Sequence, residues 1–533
     1  MTPKNQIILV VTATLCSALA LTAVRAHDVP KVATGFVANV LCSETFVSGQ
    51  DPDRIFSDTT AAMPGAGLIA WALGYNVDRT RKDVTVTLLG FSRSHAVYRE
   101  GFGCYLDHGG AIANISLPAP ESKSSQPLLP EIAGSSIVAP QTPQLGVALD
   151  RAFAEPGKPP FRRTKAIVVL KDGRVVGERY ADGYGVDTPI LGFSATKSVI
   201  SALTGVLVRK GALTLDQPAP VAAWQGAGDP RHAISVDHLL RHTAGLALGS
   251  SLSASLGSAL EPVNRVKFIE PDMAAYAESI ELETPPGRAW NYNDGNTIIL
   301  SHLVRNATGG RASDVLRFAR QELFEPLGMR NVTIEFDASG NPEGSSQMLA
   351  TARDWARFGM LYLNDGVVGG KRILPEGWVR YSASPTPNAW VGYGAGFWTN
   401  LGDSFGASYR IEHGWPRDAF FAKGTIGQYV IVIPSERLVI VRLGRSPNWP
   451  PEADGVFQLV SDVVAATSEK AKLAHWRTNS MWCRTTALKS AAAIRSARAS
   501  ALPPTTACMS GSTPIPPANR DRFRTRRRWR RNS

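Results

Sequence analysis

The stretch "GFSATKSV", residues 192–199, sets Ser194 and Lys197 three positions apart. Residues at i and i+3 are neighbours on a helix, so the lysine amine reaches the serine hydroxyl. A serine hydroxyl is a weak nucleophile at neutral pH and needs a base within hydrogen-bond reach. Lysine can act as that base when burial or a nearby cation holds its pKa down. The start of a helix adds unpaired amides and the positive end of the dipole. Val199, Ile200, Leu203, Val206 and Leu207 continue at helical spacing, and Gly211 stops the run. A Ser-x-x-Lys tetrapeptide arises about once by composition in a chain this long, so by itself it is equally an N-capping serine beside a solvated lysine.

Two further stretches add chemistry. In "PPGRAWNYNDGNTIILSHLV", residues 285–304, Tyr292 precedes a polar turn and then an apolar helical run. Its phenol is expected to project from a loop, where it can relay protons between a serine and a leaving group. A half-buried aromatic is the bland alternative. In "FFAKGTIGQYVIVIP", residues 420–434, Gly424 and Gly427 let a strand come close to a ligand. The amides of Thr425 and Ser194 would then form an oxyanion hole. Two glycines before a strand are otherwise just a turn.

Ser-x-x-Lys, a Tyr motif about a hundred residues later and a Gly-bearing strand near the domain's end together resemble the serine β-lactamase and penicillin-binding protein superfamily. The chain is similar to the esterase-like branch that includes 6-aminohexanoate-dimer hydrolases. "GFSATKSV", "DHLLRHTAGL", "YNDGNT", "ATARDWARFGMLYL", "ILPEGWV" and "GQYVIVIPSERLVIV" carry the likeness over roughly residues 160–450. The resemblance implies Ser194 as nucleophile, Lys197 as its general base and Tyr292 as proton relay. Asp294 falls where the superfamily has the Asn or Ser of Tyr-x-Asn, which implies a polar contact to substrate or to Lys197. Gly424 lies in the substrate-binding strand.

The Lys-Thr-Gly motif of β-lactamases corresponds to Ala422-Lys423-Gly424, so its first lysine is missing. Lys423 points to the other face of the strand and does not replace it. A cation there would bind a substrate carboxylate; its absence points to neutral substrates, unless Arg442 or an arginine of the helical region supplies the charge.

The elements that must position these residues read as a mixed α/β domain over 144–468. "KAIVVLKDGRVVGERYA" is a strand pair around Asp172-Gly173, a strong hairpin signal. "GQYVIVIPSERLVIVRLG" is a second pair turning at 434–436. Strands from both ends with helical patterns between them predict an antiparallel sheet flanked by helices, with an inserted helical subdomain: α/β (α+β), β-lactamase/transpeptidase-like. Residues 27–116 alternate short apolar runs with turns and predict a small N-terminal module. Residues 117–143, rich in Pro and Ser, read as a linker.

The 533 residues carry a net charge of +12, but 14 Lys/Arg and one acidic residue lie from 471 onward, which leaves residues 1–470 near neutral. The segment 469–533 lacks core-forming periodicity and is expected to be disordered. Its abrupt composition fits a translated frame shift; a nucleic-acid-binding arm built on Phe523, Trp529 and the arginines is the sharper alternative. No nucleic-acid partner is expected for an exported chain. Residues 1–26 read as a secretory signal peptide cleaved after Ala26, with an uncleaved anchor as the alternative. The expected location is the periplasm or outside the cell, without stable membrane insertion after cleavage.

Cys42 and Cys104 are the candidate disulfide pair, and two buried thiols are the other reading. No Cys/His spacing suggests a metal, and no cofactor is expected. The expected function is an exported serine hydrolase acting on a small ester or amide through an acyl-enzyme. A β-lactamase or D-alanyl-D-alanine carboxypeptidase, and an inactive homologue that binds cell-wall fragments, are the alternatives. The sequence does not fix the oligomeric state.

Overall fold

The computed structural model describes residues 28–63, 65–109, 126–252, 260–448 and 450–468. The expected signal peptide and the basic tail lie outside the described residues. Helix α1 (28–46) is followed by α2 (Pro52–Ala62), whose first turn is capped by Asp51 accepting from the amide of Arg54. Strands β1 (Leu73–Asp78), β2 (Asp83–Leu88), β3 (Ser92–Arg99) and β4 (Gly103–Leu106) form an antiparallel meander in that order. Val84, Val86, Ala96 and Leu106 alternate onto one face and pack with Val37 and Leu41 of α1. Cys42 and Cys104 are joined by a disulfide across this layer. Closing a loop of that length restricts the unfolded chain and stabilises by about 4 kcal/mol in the chain-entropy model.

This segment does not stand apart from the chemistry. Its apolar cluster also contains Leu191, Phe193, Leu349 and Ile426, which flank the candidate catalytic residues. The Pro/Ser-rich stretch also differs from the expected free linker. Its described part is irregular but hydrogen-bonds along strand 174–180: Val175 N to Ile132 O (3.0 Å), Gln141 N to Val176 O (2.9 Å) and Glu178 N to Val138 O (3.0 Å). An edge strand leaves unpaired backbone groups, and here the linker covers them while its prolines prevent a regular strand.

Helix α3 (Pro143–Phe153) leads to β5 (Thr164–Lys171) and β6 (Arg174–Tyr180). Both turn residues between these strands are left-handed, Asp172 at φ 51° and Gly173 at φ 83°, as an Asp-Gly hairpin requires. The short strand β7 (Ile190–Leu191) then precedes α4 (Thr196–Arg209), α5 (Pro262–Phe268) and α6 (Asp294–Thr308). Strands β8 (Val332–Ile334) and β9 (Met348–Ala350) join β7 in a small sheet, and α7 (Ala352–Leu363) follows. The chain ends its core with β10 (Trp398–Thr399), β11 (Phe420–Gly424), β12 (Gln428–Ile433), β13 (Leu438–Gly444) and α8 (Val456–Thr467).

The main sheet is antiparallel with order β10-β11-β12-β13-β5-β6. Val168, Val430, Val439 and Val441 face Trp355 and Phe358 of α7. Ile167, Ile431 and Ile440 face Leu149 of α3 and Leu459 of α8. Because helices cover both faces, these strands are apolar at nearly every position. The helical region between β7 and β10 carries Lys197 and Asp294, and β11 closes on it from the sheet.

Candidate active site

Ser194 lies in a 3-10 turn, Phe193–Ala195, just before α4 rather than inside it. Phe193 is buried in the left-handed region at φ 45°, a conformation that costs a bulky residue about 1–3 kcal/mol. The Arg445 guanidinium lies 4.9 Å from its ring centroid, and Thr196 Oγ1 donates to its carbonyl at 2.7 Å. Ser198 Oγ donates to Gly396 O at 2.6 Å and ties the first turn of α4 to the loop before β10. The turn that presents Ser194 is thus held from both sides.

Lys197 Nζ donates to Ser194 Oγ at 3.1 Å, to Ser345 O at 2.8 Å and to Asp294 Oδ1 at short range. Three acceptors around one amine match the three protons of an ammonium. Burial opposes that charge, but Asp294, then Tyr292 and Glu343, outweigh it and raise the Lys197 pKa above the ordinary lysine value. The expectation of a lysine held neutral by burial is therefore corrected. The position after the Tyr-x motif carries a carboxylate, and that carboxylate stabilises the ammonium.

Asp294 opens α6, whose N-cap Asn293 accepts from the amide of Asn296 at 3.0 Å. Its own amide donates to Ser251 Oγ at 3.0 Å. Asp294 Oδ2 lies 3.1 Å from Lys267 Nζ on α5, so the carboxylate sits between two cations. Burial would raise its pKa, but Lys197 and Lys267 push it well below the usual carboxylate range. Lys267 also donates to Ser346 Oγ at 2.7 Å and lies 3.8 Å from Glu343 Oε1.

Tyr292 is packed rather than projecting. It is buried, and its ring meets His242, Tyr393 and Trp398 at centroid distances of 4.7, 5.5 and 5.8 Å. Lys197 Nζ lies 5.1 Å from the ring centroid, within cation–π range. Burial, with the Lys197 charge, pushes His242 down to about 3, so this imidazole is neutral. Its Nδ1 accepts from the amide of Asn293 at 3.4 Å, which links it to the cap that sets Asp294.

Gly424 ends β11 against the backbone before Ser194: a Cβ there would stand 2.0 Å from Gly192 O. Only glycine allows this approach. It brings the strand end to the serine turn. Thr425 follows, its Oγ1 accepting from Asn448 Nδ2 at 2.6 Å. Ala422 is fully buried against the helical side of the sheet, whereas Lys423 points to the opposite face, 5.1 Å from the Trp398 ring centroid. Arg442 is also buried, donating to Gly427 O, Arg162 O and Ser446 Oγ at 2.6, 2.8 and 2.6 Å, so it offers no charge to a ligand.

The structure brings Ser194, Lys197, Tyr292 and Asp294 together, with Gly424 at the adjoining strand end. Cys42 and Cys104 lie in the N-terminal layer. Lys267, Glu343, His242 and the Ser345 carbonyl escaped the sequence reasoning. His242 lies within the quoted stretch "DHLLRHTAGL", but Lys267 is 70 positions from Lys197 with no local pattern to mark it. Among the described residues, no group of three or more His, Cys, Asp or Glu is placed to hold a metal ion.

A family model described as Beta-lactamase matches residues 149–465. A 6-aminohexanoate-dimer hydrolase of Paenarthrobacter ureafaciens is 25% identical over 230 residues, covering 40% of this chain and 56% of that relative; the match spans little more than half the relative's length. A Bacillus anthracis structure described as a 6-aminohexanoate-dimer hydrolase is 22% identical, with 57% of this chain and 80% of that chain covered and a TM-score of 0.47. A family VIII carboxylesterase is 17% identical, with 62% and 99% covered and a TM-score of 0.47. The family model covers more than half of the sequence, and the chain belongs to the beta-lactamase family.

Proposed function

We propose that the protein is an exported serine hydrolase that cleaves an ester or amide bond through an acyl-enzyme on Ser194. The observation that carries this reading is the Lys197 ammonium, 3.1 Å from Ser194 Oγ and held by Asp294. The disulfide in the N-terminal layer supports an oxidising compartment.

In the proposed cycle Lys197 remains charged. It orients Ser194 Oγ and offsets negative charge that develops there, while Tyr292 serves as the proton relay. Ser194 Oγ attacks the substrate carbonyl carbon as its proton passes to the Tyr292 phenol oxygen and the phenol's own proton passes to the leaving-group oxygen or nitrogen. The carbonyl oxygen becomes an oxyanion held by the amides of Ser194 and Thr425. As the intermediate collapses, the protonated alcohol or amine departs, leaving an ester on Ser194. Water then attacks that ester, its proton passing to Tyr292 as the Tyr292 proton returns to Ser194 Oγ, and the acid and free serine are regenerated. General acid–base transfer of this kind contributes about 10²–10⁴-fold.

The substrate class follows from charge. Ala422, at the strand position where a cation would bind a carboxylate, is a buried methyl group, and Arg442 is fully occupied by backbone and serine oxygens. Neutral short-chain esters or linear amides fit better than substrates with a carboxylate beside the scissile bond. Because Ala422 is enclosed, an added lysine there would disrupt packing, so paired substrates are the better probe. The test is p-nitrophenyl acetate hydrolysis with stopped-flow detection, together with a chromogenic cephalosporin and matched neutral and carboxylate-bearing esters. A burst near one equivalent and preference for the neutral ester are expected. No burst, or preference for the carboxylate ester, overturns the reading.

A further inference from the structure

Three of the most exposed large apolar side chains in the described structure lie at one end of the N-terminal sheet: Phe91 is 86% exposed, Trp71 80% and Leu68 72%; Leu89 joins them at 57%. They are neighbours in space. Leu73 pairs with Leu88 across β1 and β2, Leu89 N donates to Ala72 O at 2.8 Å, and Phe91 N donates to Leu88 O at 3.0 Å. Single exposed apolar residues are ordinary, but a contiguous group that includes two aromatics marks a binding surface. The Trp71 indole already donates to Leu68 O at 3.0 Å, so its one polar group needs no water.

Two observations identify what covers this tip. The first is charge: residues 59–77 and 84–92 contain no charged side chain, and the first to follow is the exposed Arg93. A protein partner with an acidic or basic motif would find no complement there. A bilayer offers an apolar phase for the tip and anionic headgroups for the arginine.

The second is where the chain enters. Thr34 Oγ1 meets Ser94 Oγ at 2.8 Å and the Phe46 ring meets Tyr98 at 5.9 Å, so α1 runs alongside β3 in the same direction. Six helical residues separate Asp28 from Thr34, about 9 Å, while Ser92 lies about 7 Å before Ser94. The start of α1 is therefore level with the Phe91 tip. The described residues begin at Asp28, at this end, and in the sequence they follow an uncharged apolar run at 5–24. Asp28, the acidic residue at the entry, is neutralised by Arg265 at 2.6 Å.

We infer that the tip formed by Leu68, Trp71, Leu89 and Phe91 rests in the headgroup and acyl boundary of a lipid bilayer. This is contact with a surface, not passage through it; no described helix is long and apolar enough to cross a membrane. The inference is independent of the chemistry at Ser194.

The test is hydrogen–deuterium exchange on the full chain with and without vesicles of phosphatidylethanolamine containing phosphatidylglycerol. Vesicles should protect peptides covering 66–73 and 87–93, and Trp71→Ser with Phe91→Ser should remove that protection. Burial of two aromatic side chains corresponds to at least about a tenfold change in the vesicle-bound population of the tip. Both substitutions are at exposed positions, and unchanged thermal midpoint and ester hydrolysis would show that the variant folds; Leu89→Ser provides a second variant if it does not. Vesicle-bound chain with an unprotected tip, or no vesicle binding at all, overturns the inference. So does tip protection that appears without lipid and grows with protein concentration, which would assign the surface to a second copy of the chain.

Discussion

Two buried carboxylates in this molecule are each held between two cations. Asp294 lies between Lys197 and Lys267, and Glu44 lies between Arg445 and Lys165, 3.6 Å from the latter. The burial is alike, but the two lysines respond in opposite directions. Burial, with Arg445 and Arg54 adding to its effect, pushes Lys165 down to about 8 even though Glu44 favours its charge. Lys197 is raised because Asp294, Tyr292 and Glu343 surround it. What decides a buried lysine's charge is the sum of its neighbours, not its depth. The Glu44 group joins α1 to β5 and to the residue after β13, and it has no nucleophile beside it. The Asp294 group has Ser194.

That contrast predicts a loss of stability at one site and a loss of rate at the other. Glu44→Gln leaves two buried cations without a counter-charge, and removing one member of such a group costs about 3–5 kcal/mol. The thermal midpoint should fall by many degrees while the folded fraction hydrolyses ester at a near-normal rate. Glu44 has a depressed folded pKa, so its contribution is present above the ordinary carboxylate range and is lost as pH falls through the folded value. An unchanged midpoint would break the comparison.

At the other group, Lys197→Ala and Tyr292→Phe should each slow acylation about a hundredfold or more, Tyr292→Phe with the midpoint nearly unchanged and Lys197→Ala with a lower one, since it leaves the buried Asp294 with Lys267 alone. Pre-steady-state kinetics checks this; a near-normal rate for Tyr292→Phe would show that Tyr292 does not carry the proton. Asp294→Asn removes the charge that raises Lys197. The alkaline limb of kcat/KM, set by loss of the Lys197 proton, should move to lower pH. Lys267→Met should have a smaller effect, about tenfold, through the orientation of Asp294. An alkaline limb unmoved in Asp294→Asn would contradict the electrostatic account of Lys197.

Glu335 sharpens the comparison as a buried carboxylate with no cation. It accepts from Ser43 Oγ at 2.8 Å and from the Cys104 amide at 2.7 Å, and burial pushes it up to about 8. Between pH 4.5 and 8 the folded chain therefore holds a proton that the unfolded chain lacks, and stability falls as pH rises. Glu335→Gln should flatten this slope and show its greatest relative gain in thermal midpoint near pH 8. The smallest effect is expected at the far end of the chain: deletion of 469–533 should leave activity and midpoint nearly unchanged, since the segment has no apolar periodicity to bury.

Local features of the sequence were the legible ones. The Ser194 and Lys197 spacing, the hairpin at 172–173 and the strand pair around 434–436 all depend on neighbours within a few residues. The 3-10 turn at Ser194 was not legible, because it depends on Phe193 being held in a left-handed conformation by a core assembled from distant segments. Lys267 was missed for the same reason. The Glu44–Arg445 pair spans 401 positions, and with it the packing of the N-terminal segment onto the catalytic layer was invisible. The charge of Lys197 was misread because a motif reports which residues are present, while a pKa depends on how far apart they sit.

The central claim is that Ser194 carries the covalent chemistry. Purified wild type and Ser194→Ala should be treated with a fluorophosphonate and peptide-mapped, with p-nitrophenyl acetate hydrolysis and thermal midpoint measured on the same samples. The account predicts one label on the wild type, located on Ser194, and neither label nor turnover in a variant of unchanged midpoint. Ester hydrolysis at the wild-type rate in Ser194→Ala would contradict it.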